Sequence, residues 1–447
     1  MSDRPADLRV HDFEEVDSGI PAEEAIAEAA RCLQCKKPAC VDGCPVGIDI
    51  PGFIRCIEDG DFRSAIGIIK ESNMLPAVCG RVCPQEVQCE GECILGVKDK
   101  PIAIGSLERF LADWERENGI EIPELAEKRS ERIAVVGSGP AGLTAAAELA
   151  RNGFSVTIFE AFHEPGGVLT YGIPEFRLPK EVVQAEISEV KRLGVEIRTN
   201  YLVGRSLPVE ELLSYDAIIL ATGAGLPAFM GIPGENQIGV YSANEFLTRV
   251  NLLHADAFPH HDTPVKKGRS VVVIGGGNVA MDAARVAKRM GADVTLVYRR
   301  RREDMPARLV EAHHAEEEGI RFLCCTNPTR ILGEGTVTGV EVVSMDMCEL
   351  DDSGRPSAKP IPGSEYIIPA DVVIEAIGQS PNPLLIRMIE GLVREKKGNL
   401  LVDESGKTTV PKIYAAGDVA TGAATVILAM GAAKTAADAV CRMLTEE

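Results

Sequence analysis

Two stretches of the chain share one pattern: a short, wholly apolar run, then glycines, then a run that reads as a helix. The first is Ile133-Ala134-Val135-Val136 followed by Gly137-Ser138-Gly139-Pro140-Ala141-Gly142. The second is Val271-Val272-Val273-Ile274 followed by Gly275-Gly276-Gly277-Asn278-Val279-Ala280. An apolar run of this length, bounded by turn residues, predicts a buried strand. Helices are expected at 141–151 and 279–290, and each leads into a further buried strand, 155–160 and 293–298. More strands are expected at 195–199, 215–221, 339–345, 365–373, 371–377 and 412–418, with a polar turn at 351–360. Helices are expected at 179–193 and 424–444. The first part reads differently, with helices at 21–32, 51–71 and 104–117 and a charged linker at 118–130. Strand–helix alternation predicts an α/β chain: two Rossmann-like dinucleotide-binding domains preceded by a mostly helical domain.

Length and composition narrow the class. The 447 residues suffice for two or three domains. A net charge of −20 argues against a nucleic-acid partner, because phosphate contacts need clustered Lys and Arg. No apolar run is long enough to cross a membrane and residues 1–15 are charged, so a cytoplasmic protein without a membrane partner is expected. Of 13 cysteines, nine lie between Cys32 and Cys93. A disulfide framework suits a small secreted domain, and nothing here suggests secretion, so metal or cluster ligation is the better reading.

The first glycine motif is G-x-G-x-x-G in the setting the motif needs. Gly137 allows the turn, Gly139 admits a pyrophosphate, and Gly142 lets helix and strand close up. The helix N-terminus beyond it favours anions. Glu160, ending the next strand, sits where a carboxylate takes ribose hydroxyls. In the second unit that place is taken by Tyr298-Arg299-Arg300-Arg301-Arg302. Arginine pairs with a 2′-phosphate that a carboxylate would repel, so the second site is expected to prefer NADP(H) to NAD(H). A glycine-rich loop at Gly166-Gly167-Val168, the irregular segment containing Arg177, and strand-end turns at Gly223 and Gly378 lie where cofactor contacts are expected. Gly417-Asp418, followed by the helix start Ala424-Thr425-Val426, can hold a ribityl chain and stabilise charge on a flavin ring. The candidate dinucleotide contacts are thus Gly137, Gly139, Pro140, Ala141, Gly142, Glu160, Gly166, Gly167, Val168, Arg177, Gly223, Gly417, Asp418, Ala424, Thr425 and Val426 for the first unit. For the second they are Gly275, Gly277, Asn278, Val279, Ala280, Arg299, Arg300 and Gly378. His254, His260 and His261 lack a regular ligand spacing and read as a solvated linker.

The cysteines form two runs: Cys32, Cys35, Cys40, Cys44-Pro45, and Cys79, Cys83-Pro84, Cys89, Cys93. Tight spacing with Cys-Pro ends is similar to ferredoxin-type runs, in which the last cysteine of a run ligates the other cluster. Zinc sites usually pair two short knuckles, which the second run does not form.

Residues 131–447 resemble the flavoprotein disulfide reductase fold with two dinucleotide domains. That resemblance implies an NADPH-binding domain at 252–379 inserted into an FAD-binding domain split between 131–251 and 380–447. With the cysteine-rich domain at 1–118 in front, the chain resembles the glutamate synthase small-subunit family. The same module occurs at the front of dihydropyrimidine dehydrogenase. It also forms the large subunit of the electron-bifurcating NADH-dependent ferredoxin:NADP oxidoreductase, which segments 172–179 and 239–251 resemble most. The family pattern implies FAD and two [4Fe-4S] clusters, one held by Cys32, Cys35, Cys40 and Cys93, the other by Cys44, Cys83 and Cys89. Spacing alone would include Cys79; the resemblance leaves it out and places Glu108 as the eighth ligand. The alternative is that Glu108 pairs with a surface Lys or Arg and Cys79 holds the iron.

The redox CxxxxC that disulfide reductases carry soon after the first strand–helix unit, and the CxxC that thioredoxin reductases carry in the NADPH domain, have no counterpart at those places in this sequence. Electrons that arrive as hydride therefore leave through the clusters, with no essential acid–base side chain. The expected function is an NADPH-linked FAD/iron–sulfur oxidoreductase subunit that works with a second redox subunit. The main expectation is the electron-bifurcating ferredoxin:NADP oxidoreductase, in which the second subunit is a ferredoxin-reductase-like flavoprotein, with ferredoxin a possible further partner; the alternative is glutamate synthase. A glutamate synthase large subunit would make it the electron-input subunit of that enzyme. A non-catalytic scaffold is the third reading, against which the intact glycines and cysteines stand.

Overall fold

The computed structural model describes residues 3–123, 125–350 and 356–445. Its centre is a five-stranded parallel sheet ordered Ile413–Ala415, Ala217–Leu220, Arg132–Val136, Ser155–Phe159, Glu196–Arg198. Helix Pro140–Arg151 covers one face, and the long helix Val426–Thr445 packs on that helix. A second parallel sheet is ordered Val240–Ser242, Val372–Glu375, Ser270–Ile274, Asp293–Val297, Arg321–Leu323. Each glycine turn leaves the central strand of its sheet, because valine, isoleucine and alanine runs buried on both faces belong at the centre of a parallel sheet.

The boundary expected at 251/252 moves. Val240–Ser242 pairs with Val373–Glu375, and the next helix, Ala243–Asn251, buries Phe246, Leu247 and Val250 against the second unit's Ala284 and Met281. The second unit therefore begins before residue 240. Its connections to the first form a short ribbon, Leu226–Pro227 against Gln379–Ser380. Of the turn expected at 351–360, residues 351–355 lie outside the described residues; Pro356–Pro360 is a strand of the antiparallel meander Thr326–Gly333, Val337–Leu350, Tyr366–Pro369.

The first part is helical as expected. The helical stretch expected at 51–71 consists of two helices, Ile50–Glu58 and Phe62–Ser72. Gly60 takes a φ of 75° and ends the first. The Asp61 carboxylate then accepts the Ser64 N–H at 3.1 Å and starts the second. These helices share one continuous core with the first nucleotide unit: Ile54, Ile57, Leu75 and Val78 join Leu143, Ala146 and Met430. The cysteine-rich part is thus fused to the unit behind it. At Gly431 the long helix meets the loop after Cys44 so closely that a Cβ would lie 2.6 Å from the Pro45 carbonyl oxygen.

Candidate functional site: a dinucleotide cleft against two thiol clusters

One continuous cleft of about 1620 Å3 runs between the two parallel sheets. Such a volume exceeds a typical single-ligand pocket and suits two dinucleotides end to end. Both glycine turns line it. Gly137 has φ of 103° and a Cβ there would sit 2.4 Å from the Ala221 carbonyl oxygen; Gly275 has φ of 143° and would meet the Ala376 oxygen at the same 2.4 Å. Any side chain would fill the turn and strain the backbone.

In the first half, Gly137, Gly139, Pro140, Ala141, Glu160, Gly167, Val168, Gly223, Gly417, Asp418, Ala424, Thr425 and Val426 all face the cleft. Gly142 and Gly166 do not, and act by packing: a Cβ on Gly142 would lie 1.9 Å from the Gly137 oxygen and one on Gly166 2.1 Å from Thr170 Oγ1. Glu160 is buried and fixed. Its Oε2 accepts from the Ser138 N–H at 3.0 Å and the Ser138 hydroxyl at 2.5 Å, and its Oε1 accepts from the Phe162 N–H at 2.8 Å. Ser138 Oγ in turn accepts the Gly166 N–H at 3.0 Å, tying the glycine loop to the phosphate turn. Sequence reading passed over Ser138; its place between two glycines beside an acid was the available signal. Asp418 is half-buried, and burial pushes its pKa up against the Ala424 N–H, which donates to Oδ1 at 3.2 Å.

In the second half, Gly275, Gly277, Asn278, Val279, Arg299, Arg300 and Gly378 line the cleft, whereas Ala280 is buried beneath it. The four arginines separate into different roles. Arg302 Nε binds Glu316 at 2.7 Å, and Arg301 lies 3.8 Å from Glu303. Arg300 is buried, with Nε donating to the Pro356 oxygen at 2.7 Å. Arg299 is exposed on the cleft wall. Arg177, expected as a cofactor contact, reaches the cleft edge, but its guanidinium is taken by Asp282, 2.7 Å from Nη1, and Glu311, 2.9 Å from Nε.

The cleft also touches the cysteine-rich part. Val82 and Pro84, the neighbours of Cys83 in the chain, are among its walls. Sequence reading missed both, since nothing local marks them as cleft residues.

The thiols gather in two places. Cys32, Cys35, Cys40 and Cys93 line one small apolar cavity with Ile50, Ile54, Ile102 and Ile104, which joins the two runs as the crossed pattern requires. Burial pushes the Cys40 thiol up to about 11. The second group centres on Glu108, which is buried with its neighbours Leu107 and Leu111 on helix Ile104–Asn118. Burial pushes its carboxyl up to about 8, against the Asn73 amide, which donates to Oε1 at 2.7 Å. Burial raises the Cys89 thiol, and the charges of Glu108, Cys44 and Cys83 add to it. Burial also raises Cys44, with Glu108 among the neighbours. Three thiols and a carboxyl enclosed together, with an amide as the carboxyl's partner, form a donor set of the kind that would hold an iron–sulfur cluster rather than a single ion. Among the described residues no Lys or Arg pairs with Glu108. Cys79 lies alongside: its thiol is 3.8 Å from Asn73 Oδ1 and 3.6 Å from Met430 Sδ on the long helix, and it also interacts with the Cys83 thiol and with Glu108. Among the described residues no three His, Cys, Asp or Glu side chains converge on a single-ion site. The same residues contain no helix long and apolar enough to cross a membrane.

Comparison with known proteins defines the class. Residues 131–437 match the pyridine nucleotide-disulphide oxidoreductase family, and residues 9–120 match dihydropyrimidine dehydrogenase domain II, 4Fe-4S cluster. FprA of Mycobacterium tuberculosis, solved in complex with NADPH, shares the fold with a TM-score of 0.60 at 22% identity, over 71% of this chain and 85% of that one. The chain is an NADPH-dependent FAD and iron–sulfur oxidoreductase. It is 37% identical to the glutamate synthase [NADPH] small chain of Halomonas elongata over 98% of this chain and 94% of that one. To the corresponding small chain of Escherichia coli it is 36% identical over 99% and 96%. The NADP(+)-dependent formate dehydrogenase subunit beta of Moorella thermoacetica is 37% identical over 91% of this chain, which spans 60% of that longer protein. The chain belongs to the glutamate synthase small-chain family.

Proposed function

We propose that this chain is the electron-input subunit of a glutamate synthase-type complex, taking reducing equivalents from NADPH and delivering single electrons to a second subunit. The observation that carries the reading is the shared wall: Val82 and Pro84, on either side of Cys83, line the cleft that holds both glycine turns. The thiol group of Cys44, Cys83 and Cys89 with Glu108 is thus the inner relay, and the cavity of Cys32, Cys35, Cys40 and Cys93, flanked by the exposed Leu33 and Ile94, is the outer one.

A bound flavin exchanges hydride with a nicotinamide and single electrons with iron–sulfur clusters. The chain's own residues do the rest. The Gly137–Gly142 turn and the N-terminus of helix Pro140–Arg151 receive the FAD pyrophosphate, and Glu160, held by Ser138, receives the ribose. Asp418 and the N–H groups at the start of helix Val426–Thr445, which line the cleft, would hold the ribityl chain and stabilise negative charge on the ring. The Gly275–Asn278 turn takes the NADPH pyrophosphate, and Arg299 the 2′-phosphate.

Relatives matched along nearly their whole length are small chains of glutamate synthase, and this favours that partner over the bifurcating one. The test is anaerobic co-purification of the native complex with analysis of flavin and iron. One FAD and about eight irons per chain, with a large glutaminase and flavin-barrel polypeptide, are expected. A smaller ferredoxin-reductase-like flavoprotein as the second polypeptide would overturn the partner assignment, and stoichiometric zinc would overturn the relay.

A further inference from the structure

Segment 306–309 leaves the nucleotide turn of the second unit and ends on the cysteine-rich part. On one side, the Ala307 N–H donates to the Gly276 oxygen at 3.2 Å and the Arg308 N–H to Asn278 Oδ1 at 2.9 Å. On the other, Arg308 Nη1 donates to the Arg81 oxygen at 3.0 Å and Nη2 to Gln85 Oε1 at 2.9 Å, with Nε 3.5 Å from Glu86 Oε2. Glu86 Oε1 also accepts the Leu309 N–H at 3.2 Å, at the first turn of helix Leu309–Glu317.

We propose that Arg308 is a positioning residue coupling the NADP(H) turn to the cluster of Cys44, Cys83, Cys89 and Glu108, so that nucleotide binding shifts that cluster's potential. The inference rests on reading Gly275–Asn278 as the NADP(H) turn and those side chains as cluster ligands. Gln85 is the transmitting group. Its Nε2 donates to the Cys79 and Gly80 oxygens at 3.2 and 3.3 Å. It also lies so close to helix Ile104–Asn118 that a Cβ on Gly105 would come within 2.4 Å of that nitrogen. A packed amide of this kind cannot shift without moving the Cys79–Cys83 turn or the helix that carries Glu108. The fork of the guanidinium is essential, because Nη1 and Nη2 serve two acceptors that a lysine ammonium cannot span in the same plane. Linkage makes the effect reciprocal: a nucleotide that shifts the potential binds oxidised and reduced protein with different affinities.

The probe is 2′-phospho-ADP-ribose, which carries the pyrophosphate and 2′-phosphate but no nicotinamide and so donates no electrons. The cluster potentials of the anaerobic holoprotein are followed by EPR-monitored titration with and without it. In the wild type one cluster's potential is expected to move, equivalent to at least about a fivefold affinity difference between redox states. In Arg308→Ala and Arg308→Lys the shift should collapse, with iron and FAD content retained. Should Arg308→Ala fail to fold, Gln85→Met severs the same link from the cluster side. An equal shift in the variants, or none in a wild type that binds the probe, overturns the proposal. A wild type that does not bind the probe overturns the NADP(H)-turn reading, and one lacking iron overturns the cluster reading; either takes the proposal with it.

Discussion

At the scale of single residues, the arginines show how neighbours assign roles that spelling leaves equal. Arg299 and Arg300 were equivalent as sequence. The structure gives Arg300 Nε to the Pro356 oxygen and leaves Arg299 exposed on the cleft wall. Losing one charge-assisted contact costs about 1.5–3 kcal/mol, roughly tenfold to a hundredfold. Arg299→Ala is therefore expected to lower kcat/KM for NADPH by that factor and leave NADH nearly unchanged. Arg300→Ala should lower thermal stability and affect both nucleotides; steady-state kinetics with both, and a melt, distinguish them. Glu108 was legible as a ligand only through resemblance, and its burial and thiol neighbours now support that role. Anaerobic Glu108→Ala should change the EPR signal of one cluster, whereas Cys79→Ala should leave both near normal; the reverse result would assign the iron to Cys79. Without iron, a carboxyl whose folded pKa is raised from 4.5 to about 8 favours the fold in its protonated form. Cluster-depleted protein should then lose stability as pH rises from about 4.5 to 8, by on the order of a few kcal/mol. Glu108→Gln should flatten that slope in denaturant titrations.

At the scale of elements, the strands and glycine turns were readable because two-sided burial forces wholly apolar runs. What escaped was set by partners. Val240–Ser242 is a strand only because Val373–Glu375 lies beside it. The break at Gly60-Asp61 depends on a left-handed turn and a side-chain cap, which an apolar pattern running across both helices conceals. Gly431 illustrates the same lesson for a helix interior. Replacing a helical glycine by alanine normally gains about 1 kcal/mol. Here the added carbon meets the Pro45 oxygen at 2.6 Å, a backbone atom next to Cys44. Overpacking of that kind costs about 1–3 kcal/mol, so Gly431→Ala should lower the melting temperature and the iron content together. A rise in melting temperature would show that the helix and the Cys44 loop can separate.

At the scale of the whole molecule, the joint between the nucleotide units is held by buried charge rather than by its thin ribbon. Arg177 of the first unit binds Asp282 and Glu311 of the second. Glu311 also pairs with Arg285, which pairs with Glu318 at 2.7 Å. Arg9 crosses from the N-terminal segment to the same Glu318 at 2.9 Å. Burial alone would raise both glutamates; Arg177 and Arg285 hold Glu311, and Arg285 and Arg289 hold Glu318, at about 2. Groups depressed from 4.5 contribute stability above that pH and lose it as pH falls towards 2. Acidification below about 4.5 should therefore loosen the joint, read as flavin release before loss of helical signal. Removing one member of a buried pair costs about 3–5 kcal/mol, so Arg285→Met should move the release midpoint to higher pH.

The sequence by itself determined the two parallel sheets, their glycine turns and the two cysteine runs. Each depends on residues close together in the chain: apolar runs that must be buried, turns that tolerate no side chain, and ligand spacings. Only the tertiary structure decided which thiols share a cavity, which arginine faces the cleft, where the second unit begins, and that Val82 and Pro84 bring the Cys83 turn to the dinucleotide cleft. Those outcomes depend on helices far apart in the chain closing over one core, and the packing of such surfaces leaves no local periodicity to read.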